Sequence, residues 1–124
     1  MSQYYEMGDE TLWNPSNGAS RLFMSQVSVY QTELGLPSGI GPMQEDECQI
    51  DPVVFKEFVD ALLAWHRSTR HAVVASLSEG FVATVLALAD RADIEVSAAL
   101  TPSEGAWAAA LQDKSHELSR IMAA

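Results

Sequence analysis

The sequence predicts a mainly α-helical fold: a four-helix bundle-like single domain, residues 1–124, with a short N-terminal β-hairpin. Three observations predict it. Apolar residues recur at three- and four-residue spacing in four segments, which is the pattern of helices with one buried face. Capping residues or a proline stand at the starts of three of these segments. The length of 124 residues is typical of one domain.

The hairpin is predicted over residues 3–13, where two short aromatic-rich stretches flank a Gly-Asp dipeptide. Glycine at the first position of the dipeptide suits a type II′ turn. In that register Tyr5 faces Leu12, and Tyr4 faces Trp13. Because a lone hairpin is marginally stable in water, we expect this one to pack on the helices.

The first helix is predicted over residues 16–34, where apolar side chains share one face and side-chain oxygens at residues 14–17 can cap the first turn. A loop over residues 35–50 follows, because its prolines and glycines interrupt regular structure. That loop is long for a domain of this size, and long loops are often functional or mobile.

Asp51-Pro52 predicts the start of the second helix, over residues 52–70, with an acceptor at the cap and proline in the first turn. The third helix is predicted over residues 72–91 and is apolar nearly all round, which is typical of a central helix. The last helix is predicted over residues 102–122. Its apolar stripe is narrow, which leaves three alternatives. The helix packs late in folding, it swings away from the rest of the chain, or it contacts another subunit.

The composition disfavours several classes of partner. Seventeen acidic residues against seven lysines and arginines give a net charge of −10. Binding to nucleic acid or anionic lipid depends mainly on neutralising phosphates, so neither is expected as a partner. We expect no signal peptide, and the longest apolar run, residues 81–89, is too short to span a membrane. A single cysteine, Cys48, fits a reducing compartment and indicates a cytoplasmic location.

The acidic run of Glu45, Asp46 and Glu47 is a candidate contact surface for a basic protein. A solvated loop before a helix N-terminus is the simpler interpretation, because acidic residues are favourable there. The run lacks the alternating oxygen ligands and central glycine of a calcium loop, so no metal site is predicted.

A cationic group is a candidate site for an anionic ligand: His66, Arg67, Arg70 and His71. It lies at a predicted helix C-terminus, where positive charge is locally stabilising, and this structural role is the simpler interpretation. The two histidines are five residues apart and lie on different helix faces, which does not suit a shared zinc ion.

No catalytic residue and no cofactor are predicted. Neighbouring acids disfavour the thiolate of Cys48, which makes it a poor nucleophile. Serine-hydrolase and phosphate-loop motifs are absent from the sequence. Tyrosine and tryptophan concentrate at protein interfaces, so the aromatic residues of the hairpin are candidates for binding a partner. The alternative is that they cover the hydrophobic core. The aromatic candidates for partner binding are Tyr4, Tyr5, Trp13 and Trp107.

Three stretches together resemble a known family: TLWNPSNG at residues 11–18, LPSGIGPM at 36–43 and DECQID at 46–51. It is a family of small actinobacterial proteins whose domain has no known function. The resemblance covers about residues 1–95 and leaves the last helix outside. It implies no activity and no site residues.

The leading functional hypothesis is a non-enzymatic protein-interaction module that associates with itself through the hairpin or the last helix. One alternative is an immunity or antitoxin-type protein whose acidic surface masks a basic toxin, since charge complementarity speeds and selects such association. A second alternative is a small enzyme or ligand-binding bundle that uses the histidines and arginines of residues 66–71.

Overall fold

A computed structural model describes residues 1–96 and 105–123. Within these residues the fold is mainly α, as predicted, with four helices and a small sheet at the N-terminus. The elements in chain order are β1 (Tyr4–Met7), β2 (Glu10–Trp13), α1 (Asn17–Leu34), β3 (Glu47–Gln49), α2 (Pro52–Ser68), α3 (Ala72–Arg91) and α4 (Ala106–Ala123).

The first two strands form the predicted hairpin. Gly8 has a φ of 61°, and the first central position of a type II′ turn requires such a positive φ. The predicted register was wrong, because Tyr5 rather than Tyr4 pairs with Trp13. A β-bulge between Tyr5 and Glu6 shifts the ladder, and an extra residue of this kind is not encoded in the alternation of side chains.

A third strand, β3, lies parallel to β1 and completes a sheet in the order β2-β1-β3. The sequence predicts a loop here, and that prediction was wrong for residues 47–49. The strand has no β-branched residue, so its propensity gives little signal. It forms through pairing with β1, which buries Cys48, and Ile50 N extends the pairing by donating to Glu6 O at 2.8 Å.

The Gly- and Pro-containing segment between α1 and β3 packs on the start of α2. Gly39 has a φ of 81°, and a β-carbon there would lie 2.6 Å from Phe55 N. Asp51 N donates to Gly39 O, and the Asp51 side chain caps α2 by accepting from Val53 N and Val54 N. This part of the predicted loop therefore fixes the position of α2.

Helix boundaries follow the local signals closely. The Ser16 side chain caps α1 by accepting from Ala19 N, and Gly35 ends the helix with a φ of 66°. The range predicted for α3 is confirmed, whereas α2 ends two residues early because Thr69 is already extended. The capping sequence predicted for the last helix lies at residues 101–104, outside the described residues.

The third and fourth helices run in the same direction. Ser119 of α4 donates to Asp90 near the C-terminal end of α3, at 2.9 Å. At the start of α4, the Trp107 ring lies 6.0 Å from the ring of His66, which in turn hydrogen-bonds Ser78 near the start of α3. This parallel packing differs from the alternating directions of a simple up-and-down bundle.

The core lies between the four helices and the sheet. Phe81 of α3 stacks on Phe23 and on Tyr30 of α1, with ring centroids 5.6 and 4.4 Å apart. Tyr5 of β1 is fully buried beside Phe23, and its hydroxyl lies 2.9 Å from Ser20 Oγ. These contacts hold one side of α3 in the core and leave another side facing outward.

Candidate interaction surface

One face of α3 is left uncovered by the described residues. Val73 is 58% exposed and Leu77 is 75% exposed, although both are large and apolar. Gly80 is also exposed, and Thr84 is half-buried. These residues follow each other at spacings of four, three and four, which places them along one face of a helix. We term this set of four residues the α3 stripe.

The stripe ends at an apolar cavity beside Thr84. This cavity of about 180 Å³ opens between α1 and α4, and Leu22 and Ile121 lie at its rim. Leu22 is 64% exposed and Ile121 is 59% exposed, so the rim itself is uncovered. Apolar surface therefore continues from α3 onto both neighbouring helices.

Gly80 leaves the helix backbone of the α3 stripe without a side chain at an exposed position. A β-carbon built at this position would meet no atom within 4 Å, so the space above the backbone is open. Leu77 projects into solvent about one turn earlier. A projecting leucine and a position without a side chain thus lie next to each other on the same face.

The α3 stripe and the cavity beside it are formed by uncharged residues in a chain with a net charge of −10. Contiguous apolar patches larger than roughly a few hundred Å² are rare on monomeric soluble proteins, and such patches mark interaction sites. The α3 stripe is therefore the candidate interaction surface among the described residues.

The aromatic residues singled out in the sequence occupy different environments. Tyr5 is buried, and Trp13 packs on it with ring centroids 5.1 Å apart, so both cover the core. Burial raises the pKa of Tyr5 to about 12, and its hydrogen bond to Ser20 opposes the shift. Tyr4 of the sheet and Trp107 of α4 remain exposed. The structure therefore does not bring the four aromatic side chains together as one exposed face.

The acidic residues Glu45, Asp46 and Glu47 form the tight turn that leads into β3. Glu45 and Asp46 have φ values of 52° and 64°, and Gln44 and Glu47 exchange two backbone hydrogen bonds across them. All three acidic side chains are exposed at the sheet end of the molecule, where Tyr4 N donates to Asp46 O. Within residues 1–96 and 105–123, no cluster of His, Cys, Asp or Glu is arranged to hold a metal ion.

The cationic residues lie at the corner between α2 and α3, but their contacts differ. His66 is buried and hydrogen-bonds Ser78, whereas His71 is exposed and caps α3. Arg70 is exposed, and Arg67 lines a shallow depression with Trp107. The structure gives this corner two arginines at the surface and a histidine turned into the core.

Cys48 lies inside the sheet layer, at 2% exposure. Burial raises the pKa of its thiol to about 11, and the negative charge of Glu6 adds to the shift. The predicted rise in pKa is confirmed, although burial rather than nearby charge is its main cause.

The sequence prediction missed the α3 stripe. An all-round apolar helix is typical of a buried centre, and α3 is also the one helix within the described residues that is long and apolar enough to cross a membrane. Core helices of soluble proteins meet the same criterion, but only 44% of the apolar 18-residue window in this helix is buried within the fold. The sequence did contain a signal for the exposed face. The helix α3 has more apolar residues than three neighbouring helices and a small sheet can cover.

Comparison with known proteins gives one finding. A family model described as "Family of unknown function (DUF6086)" matches residues 1–124. The match includes the last helix, which the resemblance in the sequence had left outside, so that limit was wrong. No curated protein and no solved structure matches the chain.

Proposed function

We propose that this chain, which belongs to the family of unknown function DUF6086, is a non-enzymatic protein-interaction module that associates with a second copy of itself through the α3 stripe. The observation that carries the proposal is the 75% exposure of Leu77 at the centre of the stripe. Fully burying a leucine side chain contributes about 1.5–3 kcal/mol. In a two-fold dimer each buried contact occurs twice, so a small set of side chains has a large effect.

The distribution of charge supports a second copy as the partner. Two chains that each carry a net charge of −10 repel one another, and this repulsion is weakest when they meet through an uncharged face. The α3 stripe and the residues around its cavity provide such a face.

The shape of the stripe gives further support. An isologous interface must be complementary to itself, because the same patch is present on both copies. Leu77 supplies a projecting side chain, and Gly80 supplies open space on the same face. A patch that holds both a projecting leucine and a position without a side chain can therefore pack against its own copy.

Sedimentation velocity over a range of concentrations tests this proposal. The chain has a mass of 13.5 kDa. From about 1 μM to 1 mM protein, a range that spans weak and moderate Kd values, we expect the weight-average mass to rise toward twice that value. A mass that stays at the monomer value over the whole range would overturn the proposal.

A further inference from the structure

We infer that the two copies pair with their α3 helices antiparallel, so that Leu77 of each copy packs over Gly80 of the partner subunit. This inference rests on the proposed self-association, and it adds the orientation and register of the partner copy.

The spacing within the α3 stripe sets the register. Val73 and Thr84 are equally distant in sequence from the midpoint between Leu77 and Gly80. An antiparallel pairing centred on that midpoint therefore matches Leu77 with the partner's Gly80 and Val73 with the partner's Thr84. A two-fold axis through the midpoint generates both contacts twice.

The matched residues are complementary in size. Leu77 projects from the helix surface, and no atom occupies the space that a β-carbon would take at Gly80. A parallel pairing would instead place Leu77 against Leu77 and Gly80 against Gly80. In that arrangement the two glycines would leave a void between the helices, and the two leucines would be crowded. Both effects are unfavourable.

The second matched pair has a recess of suitable size. The cavity of about 180 Å³ beside Thr84 lies where the partner's Val73 would enter, and Leu22 and Ile121 form its apolar rim. An apolar cavity of about 150 Å³ can hold benzene, so a valine side chain fits this volume. The antiparallel register would thus fill the cavity at each end of the interface.

Charge also favours the antiparallel orientation. The C-terminal end of α3 lies at the sheet, where Arg91 Nε donates to Leu12 O at 3.3 Å. The N-terminal end of α3 follows the corner that carries the exposed Arg70. An antiparallel pairing directs this corner toward the acidic end of the partner, whereas a parallel pairing brings like ends together. The acidic residues of the sheet end are Glu6, Asp9, Glu10, Glu45, Asp46 and Glu47.

Cross-linking of single-site cysteine variants with a short bismaleimide tests the register. In the antiparallel dimer, a mixture of the Val73→Cys and Thr84→Cys chains is expected to give a cross-linked dimer. Neither variant alone is expected to do so, because the two copies of one position lie about 16 Å apart along the helix axis (11 residues at 1.5 Å each). The unaltered chain is the control for Cys48, which is buried.

Each other outcome has a distinct meaning. Cross-linking of each variant with itself would show a parallel pairing and overturn the inference. Dimers in sedimentation without the mixed cross-link would also overturn it, while leaving self-association intact. Monomers in sedimentation would overturn the proposed function as well. Sedimentation of both variants beside the unaltered chain shows whether the substitutions themselves change the dimer.

Discussion

The imidazole of His66 is hydrogen-bonded to the hydroxyl of Ser78, with 2.9 Å between Nδ1 and Oγ, and this contact joins α2 to α3 inside the core. The Ser78 hydroxyl also lies 2.9 Å from Val74 O, to which it can donate. Burial lowers the pKa of His66 below its usual 6.5, and the negative charge of Glu79 opposes the shift. A neutral His66 is therefore part of the folded packing.

This contact predicts that the fold loses stability as the pH falls below about 6.5. The unfolded chain binds a proton at His66 near that pH, whereas the folded chain binds it only at a lower pH. The stabilising contribution is therefore complete above the unfolded pKa and is lost as the pH falls toward the folded one. Urea unfolding between pH 5 and 7.5, in buffers chosen by the usual titration range of histidine, measures the free energy of unfolding.

Two substitutions make this test specific. His66→Gln is expected to flatten the dependence of stability on pH over that range. His116→Gln changes an exposed histidine and serves as the control, which should keep the dependence of the unaltered chain. Identical pH dependence in all three proteins would contradict the role given to His66.

The contact of Gly39 with α2 predicts that two glycine substitutions differ in effect. Gly8→Ala is expected to cost about 1–2 kcal/mol, because the position has a positive φ but open space around it. Gly39→Ala has the same backbone cost and also forces a methyl group to within 2.9 Å of Asp51 O and closer still to Phe55 N. We expect a further cost of about 1–3 kcal/mol from this overpacking. The urea midpoints of the two variants measure these losses of stability. Equal losses in Gly8→Ala and Gly39→Ala would contradict the close packing of Gly39.

The buried pair of Tyr5 and Ser20 predicts a non-additive double substitution. Tyr5→Phe leaves the Ser20 hydroxyl without its partner and is expected to cost about 1–3 kcal/mol. Ser20→Ala has the corresponding effect on the tyrosine hydroxyl. The double variant is expected to lose less than the sum of the two, because it leaves neither hydroxyl unpaired. Additive losses in chemical unfolding would indicate that the hydrogen bond has no coupling energy.

The environment of Cys48 predicts slow reaction with thiol reagents. The thiol is buried, and its pKa of about 11 leaves little thiolate at pH 8. A disulfide reagent followed by absorbance is expected to react much more slowly with the native chain than with the chain in urea. A Ser25→Cys variant, at an exposed position of α1, supplies a fast-reacting control. Equal rates at Cys48 and at this control would contradict the burial of the thiol.

Local chemistry in the sequence predicts the helices well. Asp51 and Pro52 define the start of α2, and Ser16 and Gly35 bound α1, because caps and breakers act within a few residues. The start of α3 at Ala72 is likewise predicted. These elements could be found because their signals lie in adjacent residues.

Features that depend on distant contacts could not be predicted in this way. The strand around Cys48 exists because β1 lies beside it, and the bulge after Tyr5 changes the register without a sequence signature. The exposure of Leu77 depends on the parallel placement of α4 against α3, which leaves the α3 stripe open. An apolar helix predicts burial, but it does not predict which of its faces the other helices reach.

The most direct test of the proposed interface compares Leu77→Glu with Val53→Glu by sedimentation velocity. Both substitutions add one negative charge at an exposed apolar position, and Val53, at the start of α2, is 68% exposed. At a concentration where the unaltered chain is dimeric, the interface predicts a monomer for Leu77→Glu and a dimer for Val53→Glu. If Leu77→Glu still forms a dimer, with the same Kd as the unaltered chain, the assignment of self-association to the α3 stripe is contradicted.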